Sequence, residues 1–211
     1  MPKLGVQPMD SLAALGTDYG SYVVPVDLIG GDWLCYCIGT GADISFELGL
    51  LDAGVARIRS FEAVENLADY AREQAAGRPS LSVEHAAMAL EDGPVRMQVS
   101  HVPVSQSVSA AGLYDGDNYV EVPGRTLRSL MEENGDQRID LLKLDVEGLE
   151  YKLLPQLDLR ALGVQVLCAQ FHHIATVRGA KRLIAELRGK GYELVACHPT
   201  VKLTFAAREL L

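Results

Sequence analysis

Short apolar runs alternate with amphipathic segments along nearly the whole chain, and few folds satisfy that pattern: it is the signature of βαβ units wound into a mostly parallel sheet. After a loose, Gly-rich start, "DWLCYCIG" reads as a strand. "ADISFELGLLDAG" follows as a helix with Ile44, Leu48 and Leu51 on its apolar stripe and Gly54 at its end. "VARIRSFE" is the next strand, "AVENLADYAREQAAG" a helix stopped by Gly77 and Pro79, and "SLSVEHAAM" a third strand. "TLRSLMEENG" is a helix with Thr126 as N-cap, "IDLLKLD" a fourth strand, "GLEYKLL" a helix halted by Pro155, and "VQVLCAQF" a fifth strand. "GAKRLIAELRGKG" is the last helix, and "YELVACHPTVKLTFAA" reads as an antiparallel hairpin on the sheet. Between Glu91 and Pro123 the periodicity weakens: "VRMQVSHVPV" is at most one strand, and "SQSVSAAGLYDGDNY" is a Ser/Gly/Asp-rich loop of the kind that carries function.

A length of 211 residues, 48% of them hydrophobic, suffices for a core and fits one domain, 1–211, with residues 1–30 as a lead-in and 93–124 as an irregular insertion. A net charge of -9 without a basic cluster lacks the stripe that phosphate backbones require, so a small or neutral substrate is expected rather than nucleic acid. Cys35, Cys37, Cys168 and Cys197 fall on interior strands. No second pair at ligand spacing joins Cys35 and Cys37, so they read as core residues and no metal is expected. The N-terminus shows neither a long apolar leader core nor a spanning segment, which makes no membrane and a cytoplasmic location the default expectation.

A first site lies in "IGTGADISFE". A strand ending in Gly39-Thr40-Gly41 and opening a helix brings backbone N–H groups up to a ligand without a Cβ in the way. About twenty residues on, Glu62 ends the next strand, where an acid can accept from ribose hydroxyls. The dinucleotide fingerprint requires a third glycine where this chain has Ile44, which disfavours a nicotinamide cofactor. S-adenosylmethionine has no pyrophosphate and carries an ammonium and a sulfonium, so an acid such as Asp43 beside the loop is tolerable or useful. The plainer alternative is a strand-to-helix turn beside a solvated acid.

A second site lies in "RIDLLKLDVEGLEYKLL". Leu141, Lys143 and Asp145 share one face of the strand, so charge increases toward its carboxyl end, where ligands sit in open α/β sheets. Asp145 is expected at the rim of the crevice formed by Gly39 to Gly41. Lys143 needs a partner, and Glu147 or Glu150 are nearest in sequence; these three either support the turn as an ion-pair network or shape the site. "CAQFHHI" adds Gln170, His172 and His173 at the next strand end, with His172 the candidate base. His85, His101 and His198 read as a strand residue, a loop-flanking residue and a hairpin turn.

Together, "KLDVEGLEYKLL", preceded by "VEVPGRTLRSLM" and followed by "AQFHH", resemble the FkbM family of class I S-adenosylmethionine-dependent methyltransferases. "IGTGADISFE" and "YGSYVVPVDLI" are similar to its cofactor loop and lead-in, and the resemblance runs from Tyr19 to Phe205. It implies a Rossmann-like α/β sandwich with a seven-stranded sheet, S-adenosylmethionine across the first two strand ends, and methyl transfer to an oxygen of a sugar, polyketide or other secondary metabolite. By position it implies a cofactor site of Gly39, Thr40, Gly41, Asp43, Ser45, Glu62, Ala63 and Asp145. Two departures stand out: Glu62-Ala63 replaces the usual Asp-Pro, which keeps the acid, and Gln170 replaces a Glu, which removes a carboxylate.

In-line methyl transfer chiefly needs alignment and exclusion of water, worth on the order of 7 to 11 kcal/mol, and deprotonation of the hydroxyl adds ~100-fold or more. His172 assisted by Asp145 is expected to deprotonate the acceptor, and the loop from Ser105 to Tyr119 to close over it. A non-catalytic protein of the same fold that binds S-adenosylmethionine or a nucleoside is the alternative to which Gln170 points.

Overall fold

The computed structural model of the chain describes residues 4–100, 108–111, 117–172, 176–198 and 201–211. The chain opens with a hairpin of β1 (Leu12–Leu15) and β2 (Tyr22–Pro25), followed by β3 (Leu34–Ile38), α1 (Ser45–Asp52), β4 (Arg57–Glu62), α2 (Glu65–Gln74) and β5 (Leu81–His85). Four strands outside this alternation come next: β6 (Ala87–Met88), β7 (Gly93–Val99), β8 (Val108–Ser109) and β9 (Tyr119–Arg125). The second half comprises α3 (Leu127–Asn134), β10 (Leu141–Leu144), α4 (Glu150–Leu153), β11 (Val166–Gln170), α5 (Val177–Gly189), β12 (Tyr192–Cys197) and β13 (Lys202–Ala207).

Seven strands form the main sheet in the order β12-β13-β11-β10-β3-β4-β5. β3, β4, β5, β10 and β11 run parallel, and β13 is antiparallel to both of its neighbours, as the terminal hairpin predicts. The fold is thus the expected α/β Rossmann-like sandwich with a seven-stranded sheet. Because the chain winds outward from β3 to β5 and then returns to place β10 on the other side of β3, strand order reverses between β3 and β10. A crevice at the carboxyl ends follows from that reversal.

The alternating side chains of β10 divide the core. Leu142 and Leu144 join a layer with Leu130 of α3, Leu153 of α4 and Leu187 of α5, whereas Leu141 joins a layer with Leu50 of α1, Ala68 and Ala71 of α2, and Tyr22 and Val24 of β2. Strands so covered on both faces read as near-continuous apolar runs, which is why they were legible. Cys35, Cys37 and Cys168 are fully buried in the second layer, as core residues.

Four expectations need correction. The lead-in is not loose: β1 and β2 pair in register, and the Val23 carbonyl accepts from Thr204 Oγ1 at 2.6 Å. "SLSVEHAAM" is not one strand, since β5 ends at His85 and β6 leaves for a second sheet of order β6-β9-β7-β8. Consequently the 93–124 segment is not irregular throughout, because Gly93–Gln98 pairs antiparallel with Tyr119–Gly124. Pro94 and Pro123, opposite one another at the end of this ladder, and Gly124 beside them, break the alternation by which strands are recognised. The expected helix "GLEYKLL" amounts to the single turn of α4.

Candidate active site

The turn after β3 is held where the two central strands end. Gly39 N–H donates to the Phe61 carbonyl at 2.9 Å and Asp145 N–H to the Ile38 carbonyl at 3.0 Å. Gly39 has φ +77°, and a Cβ there would lie 1.8 Å from the Asp145 carbonyl oxygen, so only glycine permits the two chains to pass. Thr40 is buried with its hydroxyl 2.7 Å from Ser60 Oγ. Gly41, at φ +65°, has open space where a Cβ would stand, and its N–H donates to Glu62 Oε2 at 2.7 Å. The other oxygen of Glu62 accepts from Val64 N–H at 2.9 Å.

These groups line a cleft of about 740 Å³, part of it open to solvent. Gly39, Thr40, Gly41, Glu62, Ala63, Asp145 and Glu147 supply its polar wall, Leu67, Ala86, Met88 and Leu149 an apolar shelf, and Met97 and Val108 of the second sheet a further side. Tyr19, which is 84% exposed, stands on the same wall. Asp43 and Ser45, expected in the cofactor loop, do not line the cleft. Asp43 instead accepts from Ser45 N–H at 3.0 Å and from the Thr17 hydroxyl, and Ser45 Oγ accepts from Thr17 N–H at 2.8 Å, so the pair fastens the N-terminal turn to α1. Of the loop expected to close over an acceptor, 105–107 and 112–116 lie outside the described residues.

Lys143 has a different partner from those expected. Its Nζ donates to the Gly39 carbonyl at 2.7 Å and lies 3.5 Å from Glu47 Oε1, with both side chains buried. Burial alone would lower the Lys143 pKa, but Glu47 and Asp145 outweigh it and raise it, so the ammonium is retained beneath the glycine turn. The signal for Glu47 was available: it occupies the i+3 position of the stripe Ile44, Leu48, Leu51, where a carboxylate is out of place unless paired.

Glu147 and Glu150 hold His172 instead. Its Nδ1 donates to the buried Glu150 Oε1 at 2.6 Å, and its Nε2 lies 3.2 Å from Glu147 Oε2 and 3.5 Å from Asp145 Oδ1. Glu147 reaches this position from a left-handed backbone, φ +49°, with its carbonyl accepting from Ser109 Oγ of β8 at 2.7 Å. Gln170 Nε2 is 3.4 Å from the same histidine nitrogen. Burial would lower the His172 pKa, but the bonds to Glu147 and Glu150 prevail and push it up to about 10. The ring is not on the cleft wall, so it would reach an acceptor only through its carboxylate partners. Asp145, whose pKa burial raises, does line the cleft; its Oδ2 accepts from the Tyr22 hydroxyl at 3.4 Å. His173 lies outside the described residues, as does His101. His85 Nε2 donates to the Ala63 carbonyl, 3.0 Å away, beside β4, and His198 is part of the terminal turn.

The family model for the methyltransferase FkbM domain matches residues 40–194, a span that starts in the glycine turn and contains Gly41, Glu62, Asp145 and Glu147 of the cleft. The chain belongs to the FkbM methyltransferase family. Among solved structures, this FkbM-family chain is similar to the methyltransferase FkbM from Methylobacillus flagellatus KT, at 12% identity and a TM-score of 0.58, over 91% of this chain and 48% of the other. It thus spans about half the length of that relative. It is also similar to the fibrillarin pre-rRNA processing protein of Methanococcus jannaschii, at 12% identity and a TM-score of 0.51, over 89% of this chain and 70% of the other. At such identities these likenesses concern the fold. No curated protein sequence matches the chain. Among the described residues no helix is long and apolar enough to cross a membrane.

Proposed function

We propose that this FkbM-family protein transfers a methyl group from S-adenosylmethionine to a hydroxyl oxygen of a small molecule, a sugar, polyketide or other secondary metabolite. The observation that carries the reading is the meeting of Glu62, the Gly39–Gly41 turn and Asp145 on one cleft wall at the point where strand order reverses. A carboxylate offers about four lone-pair sites. Two of those on Glu62 are used by Gly41 and Val64 N–H, which leaves it capacity to accept from two ribose hydroxyls. The open space at Gly41 admits a ligand against the main chain, Leu67, Ala86 and Met88 suit a flat apolar face, and Asp145 and Glu147 complement a cationic end.

When bound, S-adenosylmethionine supplies an electrophilic methyl group on a sulfonium. The chain's own work is to exclude water, hold the hydroxyl in line, and receive its proton. Asp145 is the residue we assign to that proton: the oxygen gains the methyl group, the carbon–sulfur bond breaks, and the carboxylate takes the hydrogen. Glu150 and Glu147 fix His172 as an imidazolium that positions Asp145 from behind. A net charge of -9 and an acidic lip favour a neutral or cationic small acceptor over a polyanion such as RNA.

Calorimetry with S-adenosylhomocysteine tests the cofactor half. Glu62→Gln should weaken binding by about 10- to 100-fold, the loss of charged hydrogen bonds; unchanged affinity would remove Glu62 from the site. Transfer of labelled methyl groups to a panel of hydroxylated acceptors, set beside RNA, tests the second half. The second reading, binding without transfer, is favoured by Gln170, and it predicts tight S-adenosylhomocysteine binding with no labelled product from any acceptor.

A further inference from the structure

We infer that Asp145, Glu147 and His172 form a binding site for one divalent first-row metal ion at the lip of the cleft. One donor atom from each converges so that all three lie within 4.8 Å of one another. Two ligands each about 2.1 Å from a metal and roughly 90–110° apart are themselves about 3.0–3.4 Å apart, and His172 Nε2 stands 3.2 Å from Glu147 Oε2 and 3.5 Å from Asp145 Oδ1. The first of these lies within that range and the second just beyond it.

The support behind the histidine is of the matching kind. Histidines that ligate metals donate their other ring N–H to a carboxylate, which fixes the tautomer and aims the lone pair. Here Nδ1 donates to Glu150 Oε1 at 2.6 Å, and the same oxygen accepts the His172 backbone N–H at 3.1 Å, so the ring is held from two points with Nε2 facing the two acids. Without an ion, Nε2 carries a proton toward the two acids, and a bound metal would displace that proton.

Charge provides an independent reason. Asp145, Glu147 and Glu150 surround a single imidazole, and Glu150 is fully buried with Oε2 lacking a hydrogen-bond partner among the described residues. The adjacent lysines are committed: Lys143 to Glu47 and the Gly39 carbonyl, Lys202 to the Tyr19 and Ser21 carbonyls. A divalent ion would balance the excess negative charge, and mixed carboxylate–imidazole donors suit Mn²⁺, Fe²⁺ or Zn²⁺ rather than Ca²⁺ or Cu⁺. Asp145 and Glu147 line the cleft, so remaining coordination positions would face it. On the methyl-transfer reading, the ion would lower the pKa of the acceptor hydroxyl, so that its proton passes more readily to the Asp145 oxygen that does not ligate the metal. The site itself does not depend on that reading.

The test titrates the chelator-treated full chain with MnCl2, following free Mn²⁺ by electron paramagnetic resonance. Wild type should take up one equivalent saturably, Asp145→Asn and His172→Gln should abolish uptake, and Glu150→Gln should weaken it by about 10- to 100-fold. In wild type alone, Mn²⁺ should broaden the His172 ring resonances before those of the other histidines, which decides the matter even if the variants do not fold. Absence of saturable uptake at millimolar Mn²⁺, uptake indifferent to the substitutions, or broadening centred elsewhere would each overturn the site. Methyl transfer that is unchanged after chelation would refute the ion's role and leave the transferase standing; Mn²⁺ uptake without transfer under any condition would do the reverse.

Discussion

Gly39 and Asp145 pass so closely that the carbonyl oxygen of the second occupies the volume where a side chain of the first would begin, 1.8 Å from an ideal Cβ. Any residue but glycine must push the end of β3 away from the end of β10. Gly39→Ala should therefore lower stability by more than the about 1–3 kcal/mol of left-handed strain alone, and it should abolish S-adenosylhomocysteine binding. Gly41→Ala faces open space, so only the strain term applies to stability while the ligand's approach is blocked. Thermal denaturation and calorimetry on the two variants separate these effects; equal melting temperatures for both would show that the turn yields freely.

The buried pair of Lys143 and Glu47 predicts an asymmetric response. Lys143→Met leaves the Glu47 carboxylate buried without its counter-charge and should cost about 3–5 kcal/mol, whereas the double variant Lys143→Met, Glu47→Leu should recover much of that loss. Urea unfolding of the single and double variants measures the coupling. Additive losses would mean that the two groups do not depend on one another.

Asp136 makes the protein sensitive to acid. Burial would raise its carboxyl pKa, but Arg59, 2.6 Å away, and the Tyr36 hydroxyl, 2.7 Å away, prevail and lower it below the unfolded value near 3.9. A depressed folded pKa gives stability that is fully present above the unfolded pKa and is lost as pH falls through the folded one. Unfolding free energy of wild type should thus fall more steeply below about pH 4 than that of Asp136→Asn. The variant should be weaker by about 1–3 kcal/mol at neutral pH, and the two curves should meet in acid. Parallel curves would contradict the assignment.

The two residues of the lip should separate kinetically. Asp145→Asn should depress kcat by about 100-fold or more, the scale of lost proton transfer. His172→Ala should lower kcat without changing S-adenosylhomocysteine affinity by more than a few-fold, since the ring does not line the cleft. Steady-state kinetics with one accepted substrate, together with calorimetry, distinguishes these roles. A His172→Ala enzyme with normal turnover would remove the residue from the mechanism.

The alternation of apolar runs with amphipathic helices determined the wound sheet, because a strand covered on both faces must be apolar along its length, and that requirement is written locally. The positions of Gly39, Glu62 and Asp145 were legible for a related reason: each ends a strand, and parallel winding sends the carboxyl ends of strands to one rim. What the sequence left open was partnership among charges. Glu47 lies 96 positions before Lys143 and Glu150 lies 22 before His172, so nothing local couples them; neighbouring strands and helices brought them together, and burial then made pairing obligatory. The same long-range packing turned Asp43 and Ser45 toward the N-terminal hairpin and drew the proline-broken 93–124 segment into a sheet. Local sequence dictated which elements form, whereas tertiary structure decided which ionised groups face one another, because electrostatic partnership depends on distance in space and not along the chain.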